Sequence, residues 1–203
     1  MSVFGGFAGS YSYWWYGPRI RRESGQTTPE RRRQFYPLHA PRRGVYMASR
    51  LQLLLVRHGE STSTVENPQR PLAITGRQHA ELMATWLDRC DYGVEEIIHS
   101  SKLRARQTAK IFGCRLGVHA TRVQERTGLN PHDDPAPIAE MLEVDRRPVM
   151  IVSHLPFLNR LTSLLLVGDP DRLQFQFSDA GAVILAKVSG GWRIEAVVGH
   201  EMV

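Results

Sequence analysis

The feature that most constrains this chain is the run Leu51 to Val56, a short and almost wholly apolar stretch followed at once by Arg57-His58-Gly59. Six residues are too few for a stable helix but suit a strand buried on both faces. A second run, Val149 to Ser153, has the same character. Between them the pattern changes to helical. Ala80, Met83, Ala84 and Leu87 recur at helical spacing, which predicts a helix from Thr75 or Gly76 to about Cys90 with Thr75 as N-cap.

The remaining segments continue the alternation. Val94 to His99 reads as a strand, Leu103 to Phe112 as a helix ending near Gly113 or Gly117, and Val118 to Arg122 as a third short strand. Residues 127–137 form a loop by their Gly, Pro, Asn and Asp content, and a helix follows from about Ala136 to Val144. Pro156 to Val167 is a helix with proline in its first turn. Gly181 to Val188 and Trp192 to Val198 flank Ser189-Gly190-Gly191, a hairpin signal. Strands alternating with helices imply an α/β three-layer sandwich: a mainly parallel sheet, helices on both faces, and an antiparallel C-terminal hairpin at its edge.

At 203 residues there is room for one ordinary domain and an appendage. Residues 1–46, rich in Gly, Ser, Tyr, Trp, Pro and Arg, show no hydrophobic period and are expected to be a disordered tail; residues 47–203 form the domain. The net charge of +6 belongs to this tail. Residues 1–50 carry nine arginines against Glu23 and Glu30, which leaves 17 basic and 18 acidic residues from Leu51 onward. The tail interleaves aromatics (Tyr11 to Tyr16) with arginine clusters (Arg31 to Arg33, Arg42, Arg43), a composition that could stack on single-stranded nucleic acid. The favoured reading is that Met47 is the true start and that nucleic acid is not a partner.

No apolar run approaches the ~18–20 residues that span a bilayer, so no membrane association is expected. Cys90 and Cys114 form no CxxC, and no secretory signal is recognisable, which together predict a cytoplasmic setting. Neither cysteine has an arginine six positions later. His119, His132 and His200 lack metal-ligand spacing, and no glycine-rich nucleotide loop is present. No metal or cofactor is expected. His79 and His99 are read as packing or surface residues.

In open α/β sheets, ligands bind beyond the carboxyl ends of the strands. Arg57-His58, Arg104 and His154 all fall at or just past such ends, and parallel strands would bring them into one pocket. Two guanidiniums can grip and neutralise a phosphoryl group, and a neutral imidazole can attack phosphorus. Gly59 would let the backbone pass close to the phosphate.

The string LLLVRHGES at 53–61 resembles the signature of the histidine phosphatase (phosphoglycerate mutase-like) superfamily. RPLAITGRQHAELMATWL at 70–87, SSKLRARQTAKIF at 100–112 and IVSHLPFLNRL at 151–161 are similar to its further blocks, in the family's order. The short domain, GLNPHDDP at 128–135, and LLLVGD at 164–169 before a Gly-Gly-Trp hairpin look most like the SixA-type phosphohistidine phosphatases.

The resemblance implies His58 as nucleophile, with Arg57, Arg104 and His154 binding phosphate and no metal or cofactor taking part. Glu125, Asp133 and Asp134 are alternative general acids, or else solvated loop and helix-cap charges. The implied partner is a phosphorylated protein of the histidine phosphotransfer type. The alternative is a phosphomonoester, on a small molecule or on phosphoserine or phosphothreonine.

Overall fold

The computed structural model describes residues 52–203. The proposed tail, its possible nucleic-acid role, Leu51 and the Met47 start lie outside the described residues. The elements run β1 (Gln52–Arg57), α1 (Ile74–Cys90), β2 (Glu96–His99), α2 (Leu103–Arg115), β3 (Val123–Glu125), α3 (Ala136–Val144), β4 (Val149–Ser153), α4 (Phe157–Val167), β5 (Ala182–Val188) and β6 (Gly191–Val198).

The six strands form one sheet in the order β3-β2-β4-β1-β5-β6. The pairs β3/β2, β2/β4 and β4/β1 are parallel, whereas β1/β5 and β5/β6 are antiparallel. The alternation of β1 sorts its side chains between two cores. Leu54 and Val56 pack with Ala80, Met83, Leu87 and Phe112 of α1 and α2, while Leu53 and Leu55 pack with Ile138, Leu142, Phe157 and Leu161 of α3 and α4. Burial on both faces explains why β1 and β4 are near-continuous apolar runs. Among the described residues, no helix is long and apolar enough to cross a membrane.

Three local expectations are corrected. Thr75 does not cap α1: the helix begins at Ile74, Ala73 takes the cap position without a side-chain bond, and the Thr75 hydroxyl donates to the Glu60 carboxylate instead. Val118 to Arg122 is not a strand. Ala120–Arg122 is a 3₁₀ turn that the His119 ring closes by accepting from the Thr121 amide, and pairing with β2 starts only at Val123. The helix α2 continues through Gly113 to Arg115. A side chain at Gly113 would lie 2.7 Å from Val123 Cγ2, so this glycine serves the close approach of α2 to β3 rather than a stop.

Candidate active site

Three adjacent parallel strands end at one edge of the sheet. The ladder continues one step past the ends of β1 and β2: His58 N–H donates to Ser153 O at 3.0 Å, and Ser100 N–H to Val152 O at 3.2 Å. The residues that follow β1, β2 and β4 are His58, Ser100 and His154, so strand geometry alone sets them side by side. The His58 and His154 rings lie 4.7 Å apart, tilted by 57°. Arg104, in the first turn of α2, completes the group with Nε 3.1 Å from His58 Nε2.

Two hydrogen bonds fix the tautomer of His58. The Gly59 carbonyl, 2.7 Å from Nδ1, can only accept, so Nδ1 carries the proton. The Arg104 guanidinium can only donate, so Nε2 presents its lone pair. Burial is the main reason that the pKa of His58 is lowered to about 4, and the charges of Arg104, Arg57 and Arg70 act in the same direction against the bond to Gly59. At neutral pH the ring is uncharged, with an unprotonated nitrogen facing a cation.

His154 is 1% exposed. Its pKa is lowered to about 2, first by burial and then by the charges of His58, Arg104, Lys102 and Arg70. Its Nε2 lies 2.5 Å from the hydroxyl of Ser100, itself fully buried, and its Nδ1 is buried with no partner among the described residues. An orphaned buried nitrogen is costly in a native site unless something else bonds it.

Arg57 sits in the same cluster but is partly engaged elsewhere. It donates to Phe177 O at 2.7 Å and pairs with Asp179 at 3.0 Å, which occupies part of its five-donor fork. Asp133 accepts from the Asn130 amide and Asp134 from the Ala136 amide, so both bond local backbone. Glu125 ends β3, exposed, at the same sheet edge as His58 and His154. Among the described residues, no hydrogen bond or ion pair joins these three acids to His58, Arg104 or His154.

Gly59 has a different role from the one its position suggested. A Cβ there would lie 2.5 Å from Gly76 O, and one at Gly76 would clash with the Glu60 backbone, 2.6 Å from its nitrogen. The two glycines let the strand-end loop press against the start of α1. The Gly59 amide is bonded to Thr108 Oγ1 at 3.1 Å.

Sequence reasoning passed over three residues of this site. Arg70 bonds Thr62 O at 3.2 Å and Ser61 Oγ at 3.0 Å, and its charge reaches His58, Arg104 and His154. It lies on a loop with φ +49°, not at a strand end, which is why the strand-end rule missed it. Ser100 obeys that rule and was findable by it. Asp179, two residues after Phe177 and before β5, carries no local signal.

The family model of the histidine phosphatase superfamily (branch 1) matches residues 53–131, the segment that holds Arg57, His58 and Arg104. This match and the likenesses that follow support membership of the histidine phosphatase superfamily. It is 27% identical over 146 residues to the phosphohistidine phosphatase SixA of Escherichia coli (strain K12), a match covering 70% of this chain and 89% of that protein. The solved structure of the protein histidine phosphatase SixA complexed with tungstate superposes with a TM-score of 0.64 at 23% identity, over 74% of this chain and 97% of that one. A mycobacterial glucosyl-3-phosphoglycerate phosphatase complexed with VO3 gives 0.57 at 21% identity, over 72% and 98%. These likenesses support a hydrolase of phosphoryl groups, on a scaffold shared by proteins with different substrates.

Proposed function

We propose that this chain is a phosphohistidine phosphatase in which His58 Nε2 takes the phosphoryl group. The observation that carries the reading is the pair of hydrogen bonds that leaves Nε2 unprotonated beside Arg104. An incoming phosphoryl group would draw the Arg104 guanidinium from the ring nitrogen to its own oxygens, freeing the lone pair for in-line attack. As the N–P bond forms and the bond to the leaving group breaks, His58 becomes cationic, and the Gly59 carbonyl on Nδ1–H stabilises that charge. Water then displaces the phosphoryl group, releasing phosphate and the neutral ring.

Arg104 and the remaining donors of Arg57 supply positive charge, with Arg70 reinforcing it. His154 Nδ1 is assigned to the phosphoryl group because it has no hydrogen-bond partner among the described residues. The preference for phosphohistidine rests on the absence of an acid bonded into the cluster among the described residues, since imidazole leaves readily once its ring carries a proton. The SixA likeness supports the same choice.

One observation favours a second reading. Glu125, exposed at the end of the sheet where the strands leading to His58 and His154 stop, has no ion pair or side-chain hydrogen bond among the described residues, and there it could protonate the oxygen leaving from a phosphomonoester. Incubation with 32P-labelled phosphohistidine protein, followed by quenching in alkaline detergent and peptide mapping at alkaline pH, is expected to place acid-labile, base-stable label on His58; label elsewhere overturns the proposal. A higher kcat/KM on p-nitrophenyl phosphate than on the phosphohistidine protein, abolished by Glu125→Gln, would select the ester.

A further inference from the structure

Beside the His58 cluster lies a cavity of about 520 Å³ that includes Arg70 and Arg104 and continues along Ser101, Lys102 and Arg106. That volume falls within the ~300–1,000 Å³ range of sites that hold whole small molecules, so a phosphoryl group alone would leave much of it empty. The lining is one-sided in charge. Four cations face it and, among the described residues, no carboxylate does.

Lys102 and Arg106 differ from the other two cations. Arg104 is bonded to His58, and Arg70 to Thr62 and Ser61, whereas the ammonium of Lys102 and the guanidinium of Arg106 are exposed and make no ion pair or side-chain hydrogen bond among the described residues. Exposed cations without an ion pair also occur elsewhere among the described residues, Arg77 and Arg126 for example; what sets Lys102 and Arg106 apart is that they line the same cavity as two site arginines. A cleft lined by charges of one sign concentrates its field and gathers ligands of the opposite sign. Lys102 lies near enough to the reaction centre for its charge to act on His154.

We propose that Lys102 and Arg106 form a second anion subsite, which receives a carboxylate or phosphate carried by the substrate in addition to the phosphoryl group that is transferred. On the phosphohistidine reading, on which this inference rests, that anion is an acidic side chain flanking the phosphorylated histidine. The subsite adds nothing to the chemistry at phosphorus. It selects acidic partners and orients them.

The test uses two phosphohistidine peptides that differ only in having glutamate or glutamine beside the phosphorylated residue. The wild-type enzyme is expected to favour the glutamate peptide by roughly tenfold in kcat/KM, the combined effect of two exposed charge pairs. Rising salt should erode the preference. The surface double variant Lys102→Gln/Arg106→Gln is expected to lose it. Equal kcat/KM for the two peptides in the wild type, or a preference that survives in the variant, overturns the subsite.

Calorimetric titration with phenylphosphonate and 3-phosphonopropionate separates this inference from its parent, because it needs no turnover. Tighter binding of the carboxyl-bearing phosphonate to the wild type but not to the variant supports an anion from any source. A gain confined to the peptides assigns the anion to a protein partner. If neither peptide is hydrolysed, the phosphohistidine reading falls, and the titration alone decides the subsite: an equal affinity for both phosphonates overturns it.

Discussion

The rings of His58 and His154 lie 4.7 Å apart and tilted by 57°, whereas those of His79 and His200 stack at 3.6 Å with only 13° between their planes. The first pair stands at strand ends among guanidiniums, with Nε2 of His58 turned to Arg104. The second joins α1 to the C-terminal 3₁₀ turn His200–Met202, where His200 donates to Asp179 O and lies 3.7 Å from Glu201. Residue type is the same in both. Surroundings that hold one imidazole neutral and facing a cation suit it to the proposed role of nucleophile, and surroundings that stack two rings and offer a carboxylate make a clasp.

Substitution can break this comparison, and the largest effect is expected at His58. His58→Ala should lower turnover by at least about 10⁴-fold, as removal of a nucleophile does. Steady-state rates on a phosphohistidine protein measure it, and a loss of only tenfold would move the nucleophile elsewhere. Arg104→Ala should cost roughly 10²–10³-fold in kcat, the range for losing one preorganised charge donor. A change confined to KM would reduce Arg104 to ground-state binding.

Next comes the support beneath the first pair. Gly76→Ala forces a methyl into the Glu60 backbone and should destabilise the fold by about 1–3 kcal/mol or more, read by urea unfolding. Wild-type stability in the variant would mean that the two loops can part freely.

Protonation gives a further contrast. With the folded pKa of His58 depressed to about 4 and that of the unfolded chain near 6.5, the unfolded state binds more protons between these values. The neutral ring's contribution to stability is therefore complete above about pH 6.5 and is lost as pH falls toward 4. An NMR titration should find the His58 ring uncharged throughout pH 5.5–8; a midpoint near 6.5 would refute the desolvated, cation-facing ring. The smallest effect is expected at the clasp. His200→Ala should leave kcat/KM within about twofold and lower Tm by roughly 2–4 °C, the loss of one ring pair, by differential scanning fluorimetry.

Much of this scaffold was legible because local and tertiary demands agree. The helix over 136–144 and the strand over 149–153 have the expected bounds, since Pro135 and Pro148 punctuate them and the strand is apolar throughout. The misplaced third strand shows the opposite case: a single imidazole bonding Thr121 turned a β-rich segment into a 3₁₀ turn. Within the site, strand ends revealed Arg57, His58 and His154, because parallel pairing makes sequence-distant ends neighbours. Arg70 was invisible to that rule, as its place depends on a loop crossing back over Ser61 and Thr62. Asp133 and Asp134 read equally well as acids or caps until the backbone they bond was known.

The contact between Gly59 and Gly76 joins two stretches of sequence that look like separate motifs. Each glycine is there because the other's backbone, or its neighbour's, occupies the space a methyl would need. The two arms of the loop between them are tied to each other, Thr62 N–H donating to Pro71 O and Ala73 N–H to Glu60 O, each at 2.9 Å, so change is easiest at the exposed tip, residues 63–69, while neither anchor has room for even one added carbon. Variation of the surface beside the cavity is thereby decoupled from the position of His58: an evolving chain could remodel the tip, residues 63–69, of which Pro68 and Gln69 line the cavity, without disturbing Arg70 or the glycine contact.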